Sequence, residues 1–190
     1  MRKMLLAVTL ASAFVGSAMA APVTYEVDPQ HTYPQMSYSH MGLSTQTIRF
    51  NSTTGAITYD KEARTADVQV SIDMKSVDTG SKEFDDHIQD VDLFDTAQHP
   101  TATFKSTRVE FQGDKPSSIE GELTVNGVTR PVTLTVTHFV NKEHPMLKKD
   151  AIGANATATI RRSEFKAGKF VPGVSDEVTL KIAIEAVAKQ

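Results

Sequence analysis

The side chains in this sequence that could do chemistry are its histidines, serines and carboxylates. Histidines stand at His31, His40, His87, His99, His138 and His144. A zinc hydrolase places two of them one helical turn apart, and no HExxH or HxxxH spacing occurs. Asp85-x-His87 offers two metal ligands, and two ligands do not make a site. Ser76, Ser106 and Ser163 stand outside any G-x-S-x-G turn, so there is no nucleophile elbow. The carboxylates fall mostly on polar strand faces and in turns, with no pair placed together for acid–base work. The chain has no cysteine, which removes thiol catalysis, disulfides and thiolate metal sites. The expectation is a protein that is not an enzyme and uses neither a metal nor a cofactor.

The elements that carry these residues are mostly strands. Tyr25-Glu26-Val27 starts the first, ended by Asp28-Pro29. In the stretch His31 to His40, Met36, Tyr38 and His40 share one face and Gln35, Ser37 and Ser39 the other. Ile48 and Phe50, then Ile57 and Tyr59, then Val68, Val70 and Ile72, alternate with polar residues, which is the period of a half-covered strand. Ala102, Phe104 and Ser106 alternate, and the apolar parity then moves to Val109 and Phe111, which predicts a bulge near Thr107-Arg108. Asn126-Gly127 is a strong hairpin signal, because both residues accept positive φ. Val132, Leu134 and Val136 return from it, and Asn141 to Asp150 reads as a polar loop. Ile152 to Ile160 and Val178 to Ile184 alternate again, separated by an irregular stretch from Arg161 to Ser175.

One segment breaks the strand period. After Ile72-Asp73 the chain turns at Thr79-Gly80, and Phe84, Ile88, Val91 and Phe94 or Asp95 then fall at spacings of three and four. That is a short amphipathic helix, capped by Thr79 or Ser81, with Glu83, Asp85 and Asp86 near its positive end. Pro100 closes the segment.

The N-terminus has a different job. Met1-Arg2-Lys3-Met4 is basic, Leu5 to Val15 is apolar, and Ala18-Met19-Ala20 is a small-x-small cleavage site. This predicts a secretory signal peptide over residues 1–20, one folded domain over 21–190, and export of the mature chain; the periplasm as its destination is what the family resemblance given below implies. The net charge is −3 before cleavage, with no basic block, so nucleic acid is not an expected partner. No second long apolar run follows, so the mature chain is not expected to span a membrane.

Roughly eight or nine strands with one apolar and one polar face, and a single helix, form an all-β antiparallel fold that must cover itself. Closure into a barrel of about eight strands removes the edges, and such a barrel can hold one small ligand. Ala102, Gly121, Ala154, Ala156 and Ala158 are small residues on apolar faces, so the barrel could be hollow. A filled sandwich, in which they only permit close packing, accounts for the pattern equally well.

The sequence resembles the YceI-like family of bacterial periplasmic polyisoprenoid-binding proteins. The resemblance rests on Val27-Asp28-Pro29-Gln30-His31-Thr32, His40-Met41-Gly42 and Ser76-Val77-Asp78-Thr79-Gly80. It continues through Asp85-Asp86-His87-Ile88, Asp92-Leu93-Phe94-Asp95, His99-Pro100, Gly121 to Val132 and Arg162-Ser163-Glu164-Phe165. Phe84 stands where the family usually has Arg, which adds apolar surface to the helix. The resemblance implies an extended, lipocalin-like barrel with a long apolar tunnel. It implies a polyisoprenoid lipid or isoprenoid quinone as guest, held for transport or storage, sometimes under stress. It also implies, as an alternative, docking on an inner-membrane cytochrome b561-type protein.

The candidate guest-binding residues follow from the two readings together. Met36, Tyr38, His40 and Ile48 come from the early strands. Phe84, His87, Ile88 and Phe94 come from the helical segment, as a lid or as core beneath it. Phe104, Leu134, Ala156 and Ile182 come from the later strands, and Phe165 and Phe170 from the irregular stretch. His31, His40 and His87 recur in the family motifs and are expected at one barrel end, as structural hydrogen-bonding groups or as contacts to the guest's head.

Overall fold

The computed structural model describes residues 21–189. The expected leader, residues 1–20, lies outside the described residues.

The strands are β1 Val23–Val27, β2 Gln35–His40, β3 Ser44–Phe50, β4 Thr53–Asp60, β5 Thr65–Asp73 and β6 Val77–Asp78. After helix α1 (Lys82–Ile88) come β7 Thr101–Gln112, β8 Lys115–Val125, β9 Val128–Glu143, β10 Asp150–Arg161 and β11 Glu177–Ala188. Short 3-10 turns at Met74–Ser76 and Arg162–Phe165 join β5 to β6 and follow β10. Among the described residues no helix is long and apolar enough to cross a membrane.

Eight strands close a barrel in the order β1-β4-β5-β7-β8-β9-β10-β11, and β11 returns to β1 through Tyr25↔Ala188 and Val27↔Ala186. All the pairings are antiparallel. The last five strands have eleven to sixteen residues, so at about 3.3 Å per residue the twelve-residue strands run about 40 Å. This is twice an ordinary strand and makes the barrel elongated. The other three strands widen one end. Beyond its pairing with β1, β11 takes β2 through Thr179↔Ser37 and Lys181↔Gln35, and β3 and then β6 add to β2. Asp28-Pro29 takes the chain out of β1, and the Pro34 carbonyl accepts from Phe50 N–H at 3.0 Å as it re-enters.

Local sequence explains most turns. Asn126 and Gly127 take φ of 50° and 69° in the β8–β9 hairpin. The β7–β8 register shifts between Ser106 and Arg108, where the apolar parity slipped. Other expectations need correction. The strand β9 runs on to Glu143, so the polar loop is only residues 144–149. The helix ends at Ile88, and Val91 is 73% exposed, because the chain leaves the helical path through turns before Phe94 comes back inside. Ser81 sits at the cap position without a side-chain cap bond; Asp85 instead accepts from the Thr79 N–H at 2.7 Å.

Three apolar clusters stack along the barrel. Tyr25, Ile57, Tyr59, Ile152 and Ala186 form one end, and Phe104, Leu123, Leu134, Ala156 and Phe165 the middle. Tyr38, Ile48, Phe50, Ile88 and Phe94 lie under α1 at the other end. Burying a Phe or Val such as Phe165 or Val178 is worth about 1.5–3 kcal/mol each.

Candidate functional site: an apolar tunnel and its outer chamber

The stacked clusters do not fill the barrel. A cavity with about 1560 Å³ of open space, counted through its openings, runs inside it, and its accessible wall is wholly apolar. Alternation builds that wall: Val68, Val70 and Ile72 project inward from β5, Phe104 from β7, Leu134 from β9, Ala156 from β10 and Ile182 from β11. At one end Tyr59 packs edge-on to Phe139 (centroids 5.5 Å apart) and stacks on Phe111 (6.3 Å). Beside them the buried Tyr25 hydroxyl donates to Asp150 at 2.5 Å, and Asn141 donates to Asp150 at 2.9 Å. Burial, and then the bond to the Asp150 carboxylate, push the Tyr25 hydroxyl well above the ordinary phenol range.

Small residues have two different uses here. Ala102, Ala154 and Ala156 border the cavity. Gly121 does not open space: a Cβ there would lie 2.4 Å from Phe104 Cζ and 2.6 Å from the Lys105 carbonyl. The Phe104 ring lies where a Gly121 side chain would stand.

Under α1 the tunnel meets a second chamber, with about 850 Å³ of open space. Met36, Phe94, Arg162 and Ala167 border both. The outer chamber adds Tyr38, His40, Phe84, His87, Ile88 and Phe170, with Met41, Leu93, Lys169 and Val174. Its aromatic side is continuous: Phe84 lies 6.1 Å from His87, His87 lies 6.4 Å from Phe170, and Lys169 Nζ lies 5.3 Å from the Phe170 centroid. The segment over it is pinned to the barrel, because the Asn126 side-chain amide donates to the Leu93 carbonyl at 2.6 Å.

Arg162 is the polar residue at the junction, and it is 7% exposed. Its Nε donates to the Ser175 carbonyl and its Nη2 to the Val174 carbonyl, both at 2.8 Å. Its Nη1 donates to the carbonyls of Lys169, at 2.8 Å, and Ala167. Burial lowers its pKa, against a smaller opposing pull from Asp176. Asp176 in turn accepts from the backbone N–H and the hydroxyl of Ser163, each at 2.8 Å, and those bonds hold its own pKa down. Burial raises the Tyr38 hydroxyl, and the Arg162 charge pulls it the other way.

The structure therefore sorts the sequence candidates. Phe104, Leu134, Ala156, Phe165 and Ile182 line the tunnel. Tyr38, His40, Phe84, His87, Ile88 and Phe170 line the outer chamber, and Met36 and Phe94 border both. Ile48 lines neither; it is 2% exposed and packs in the core beneath α1. His31 does not join His40 and His87: its Nδ1 pairs with Asp28 Oδ2 at 2.7 Å on the outer surface. Asp28, His31 and Glu185 bring three potential ligand atoms within 4.8 Å of one another, two of them already bonded together. Sequence reasoning gave no role to Arg162, which entered only as part of the Arg162-Ser163-Glu164-Phe165 motif, and missed the stopper formed by Tyr59 and Phe139. Alternation in β4 and β9 was the available signal for the stopper.

A closed antiparallel barrel built around an elongated apolar cavity defines the class. The chain belongs to the YceI-like family: residues 25–186 match the YceI-like domain. It is 37% identical over 193 residues to the protein YceI of Escherichia coli O157:H7, covering 100% of each chain. It is 35% identical to the UPF0312 protein PA0423 of Pseudomonas aeruginosa, over 98% of each chain. Among solved structures it is similar to BcnA of Burkholderia cenocepacia, with a TM-score of 0.71 and 25% identity, covering 84% of this chain and 99% of that one. It shares its fold with a polyisoprenoid-binding domain from Saccharophagus degradans, at TM-score 0.67 and 18% identity, covering 88% and 99%.

Proposed function

We propose that this protein is a periplasmic carrier that holds the chain of a polyisoprenoid lipid or isoprenoid quinone inside its barrel, for transport or storage and without covalent chemistry. The observation that carries this reading is the tunnel inside the barrel, whose accessible wall is wholly apolar. An apolar space bordered by residues from Tyr59 at one end to Phe94 at the other suits an extended hydrocarbon guest, and each Å² of apolar guest buried contributes about 25 cal/mol. A branched hydrocarbon chain is insoluble in water and needs no polar partner along its length. The Saccharophagus degradans domain of the same fold is described as polyisoprenoid-binding, which agrees with this reading.

Filling the tunnel tests it. Ala156 is buried on its wall, and Ala156→Phe places a ring in the lumen. Delipidated protein titrated with a long-chain isoprenoid and followed by native mass spectrometry is expected to bind one chain. The variant is expected to bind at least about tenfold more weakly, a loss of about 1.4 kcal/mol, with its melting curve intact. Equal binding by the variant contradicts the tunnel.

One observation favours a second reading, docking of the rim on an inner-membrane protein of the cytochrome b561 type. Met41, Leu43, Val91, Phe170 and Val171 are exposed, and Met41 and Phe170 border the outer chamber. Capture of such a partner that survives Ala156→Phe would support docking as a separate property.

A further inference from the structure

The hairpin of β9 and β10 ends in a turn, residues 144–149, that holds two large apolar side chains in water. Met146 is 82% exposed and Leu147 55%, and neither joins the three apolar clusters. The turn is closed on itself, so its backbone presents them in one direction. His144 Nδ1 accepts from the backbone N–H of Met146 at 3.3 Å and of Leu147 at 3.1 Å. The His144 N–H donates to the Lys149 carbonyl at 2.7 Å, and the Lys148 N–H donates to the His144 carbonyl at 3.0 Å. A single exposed apolar residue needs no explanation, but an adjacent pair held out by a fixed turn does. Because β9 runs past Phe139 to Glu143, the turn projects from the stoppered end of the barrel, away from the outer chamber.

Charge selects the partner. Lys142, Lys148 and Lys149 flank the pair, against one carboxylate, Glu143. Lys148 lies 3.5 Å from Glu143 with both side chains exposed, and Lys142 and Lys149 form no ion pair among the described residues. Asp150, at the foot of the hairpin, is taken up by Tyr25 and Asn141. The turns beside it are balanced: Asp60 and Glu62 accompany Lys61 and Arg64, and Asp114 accompanies Lys115. The excess positive charge at this end therefore sits at the hairpin. Its layering matches a bilayer surface. The apolar pair is at the tip, and Lys142, opposite Ala151 on the ladder, stands behind it at the level where headgroup phosphates lie above acyl chains. The exposed Val91 at the mouth has the opposite setting, because Asp86, Asp90 and Asp92 lie on its segment and an anionic surface repels them.

We propose that the 144–149 turn is a membrane-docking tip that inserts Met146 and Leu147 among the acyl chains of an anionic bilayer while Lys142, Lys148 and Lys149 meet its phosphates. The barrel then stands stoppered end down, with its mouth facing away from the surface. The proposal does not depend on what the tunnel holds.

The test mixes the mature protein with phosphatidylcholine vesicles made with and without phosphatidylglycerol, and separates bound from free by sedimentation. Binding is expected only with phosphatidylglycerol and is expected to weaken with added salt. Met146→Ser combined with Leu147→Ser is expected to weaken it about tenfold or more, with an unchanged melting curve, since neither side chain packs in the core. Lys148→Gln combined with Lys149→Gln is expected to weaken it about fivefold or more. The chain has no tryptophan, so Leu147→Trp supplies the sole indole. Its emission should shift to the blue and be quenched by brominated acyl chains when the vesicles bind. Three results overturn the proposal: no binding to the phosphatidylglycerol vesicles, binding equal in the double serine variant, or bound protein whose indole at position 147 stays in water. An oligonucleotide bound as tightly as the vesicles, with neither affected by the serine variant, also overturns it and makes the tip a general polyanion patch.

Discussion

Lys169 Nζ lies 2.5 Å from Asp92 Oδ2, so the stretch before β11 is tied to the turn after α1 across the mouth of the outer chamber. The two residues are 77 apart in sequence, and no local rule pairs them. Their side chains are 36% and 58% exposed, so the pair acts as a surface ion pair worth at most about 1 kcal/mol. A pair this weak contributes little to folding, and its position at the mouth makes lipid exchange the property on which an effect is expected.

Asp92→Asn is therefore expected to change the melting temperature little and to speed exchange of a bound lipid severalfold. Added salt should act on the wild type in the same direction, because exposed pairs are screened. Stopped-flow transfer of a fluorescent isoprenoid to acceptor vesicles reads this. A release rate unchanged by both the substitution and salt would show that the latch does not gate the chamber.

Phe104 and Gly121 give a prediction about the tunnel wall. A methyl group at Gly121 meets the Phe104 ring at 2.4 Å and backbone at 2.6 Å, so the ring must swing inward or the strands must part. Gly121→Ala is expected to cost about 1–3 kcal/mol, as overpacking does, and to weaken isoprenoid binding. Pairing it with Phe104→Leu should restore much of the stability. Denaturant melts of the single and double variants measure the coupling, and simple additivity would contradict the packing account.

The Asp28–His31 pair gives a prediction in pH. The bond to the Asp28 carboxylate raises the His31 imidazole above its usual value of about 6.5, and the same bond lowers Asp28 below the ordinary carboxylate range. For His31, the raised folded value means its contribution is full below about pH 6.5 and is lost as pH rises through the folded value. For Asp28, the contribution is present above about pH 4 and is lost as pH falls through its lowered value. The pair thus supports the fold between those limits. An NMR titration should find His31 above the ordinary imidazole range and Asp28→Asn should return it there. An unchanged titration in the variant would contradict the assignment.

The barrel was legible because its strands are long and one-sided. Val68-Val70-Ile72 and Ile119-Gly121-Leu123-Val125 alternate without a break, and Asn126-Gly127 fixes a register between two of them. Closure was not legible locally: Tyr25 finds Ala188 at the other end of the chain, and nothing in either stretch specifies the other. The widening at one end was also hidden, since β2 and β3 have the same period as barrel strands but pair outside the eight. That is why Ile48 looked like a wall residue and lies in core. Arg162 was hidden for a related reason. Its depth depends on carbonyls from Ala167 to Ser175, which a 3-10 turn and the stretch after it bring around the guanidinium, and side-chain type alone reads as a surface cation.

The most direct test of the carrier account is the content of the barrel itself. Protein purified from the producing cells without detergent would be extracted with organic solvent and the extract analysed by mass spectrometry, alongside the Ala156→Phe variant. The account predicts an isoprenoid lipid close to one per chain in the wild type and little in the variant. A wild-type extract with no isoprenoid, still empty after incubation with quinone and prenyl lipids, would contradict it.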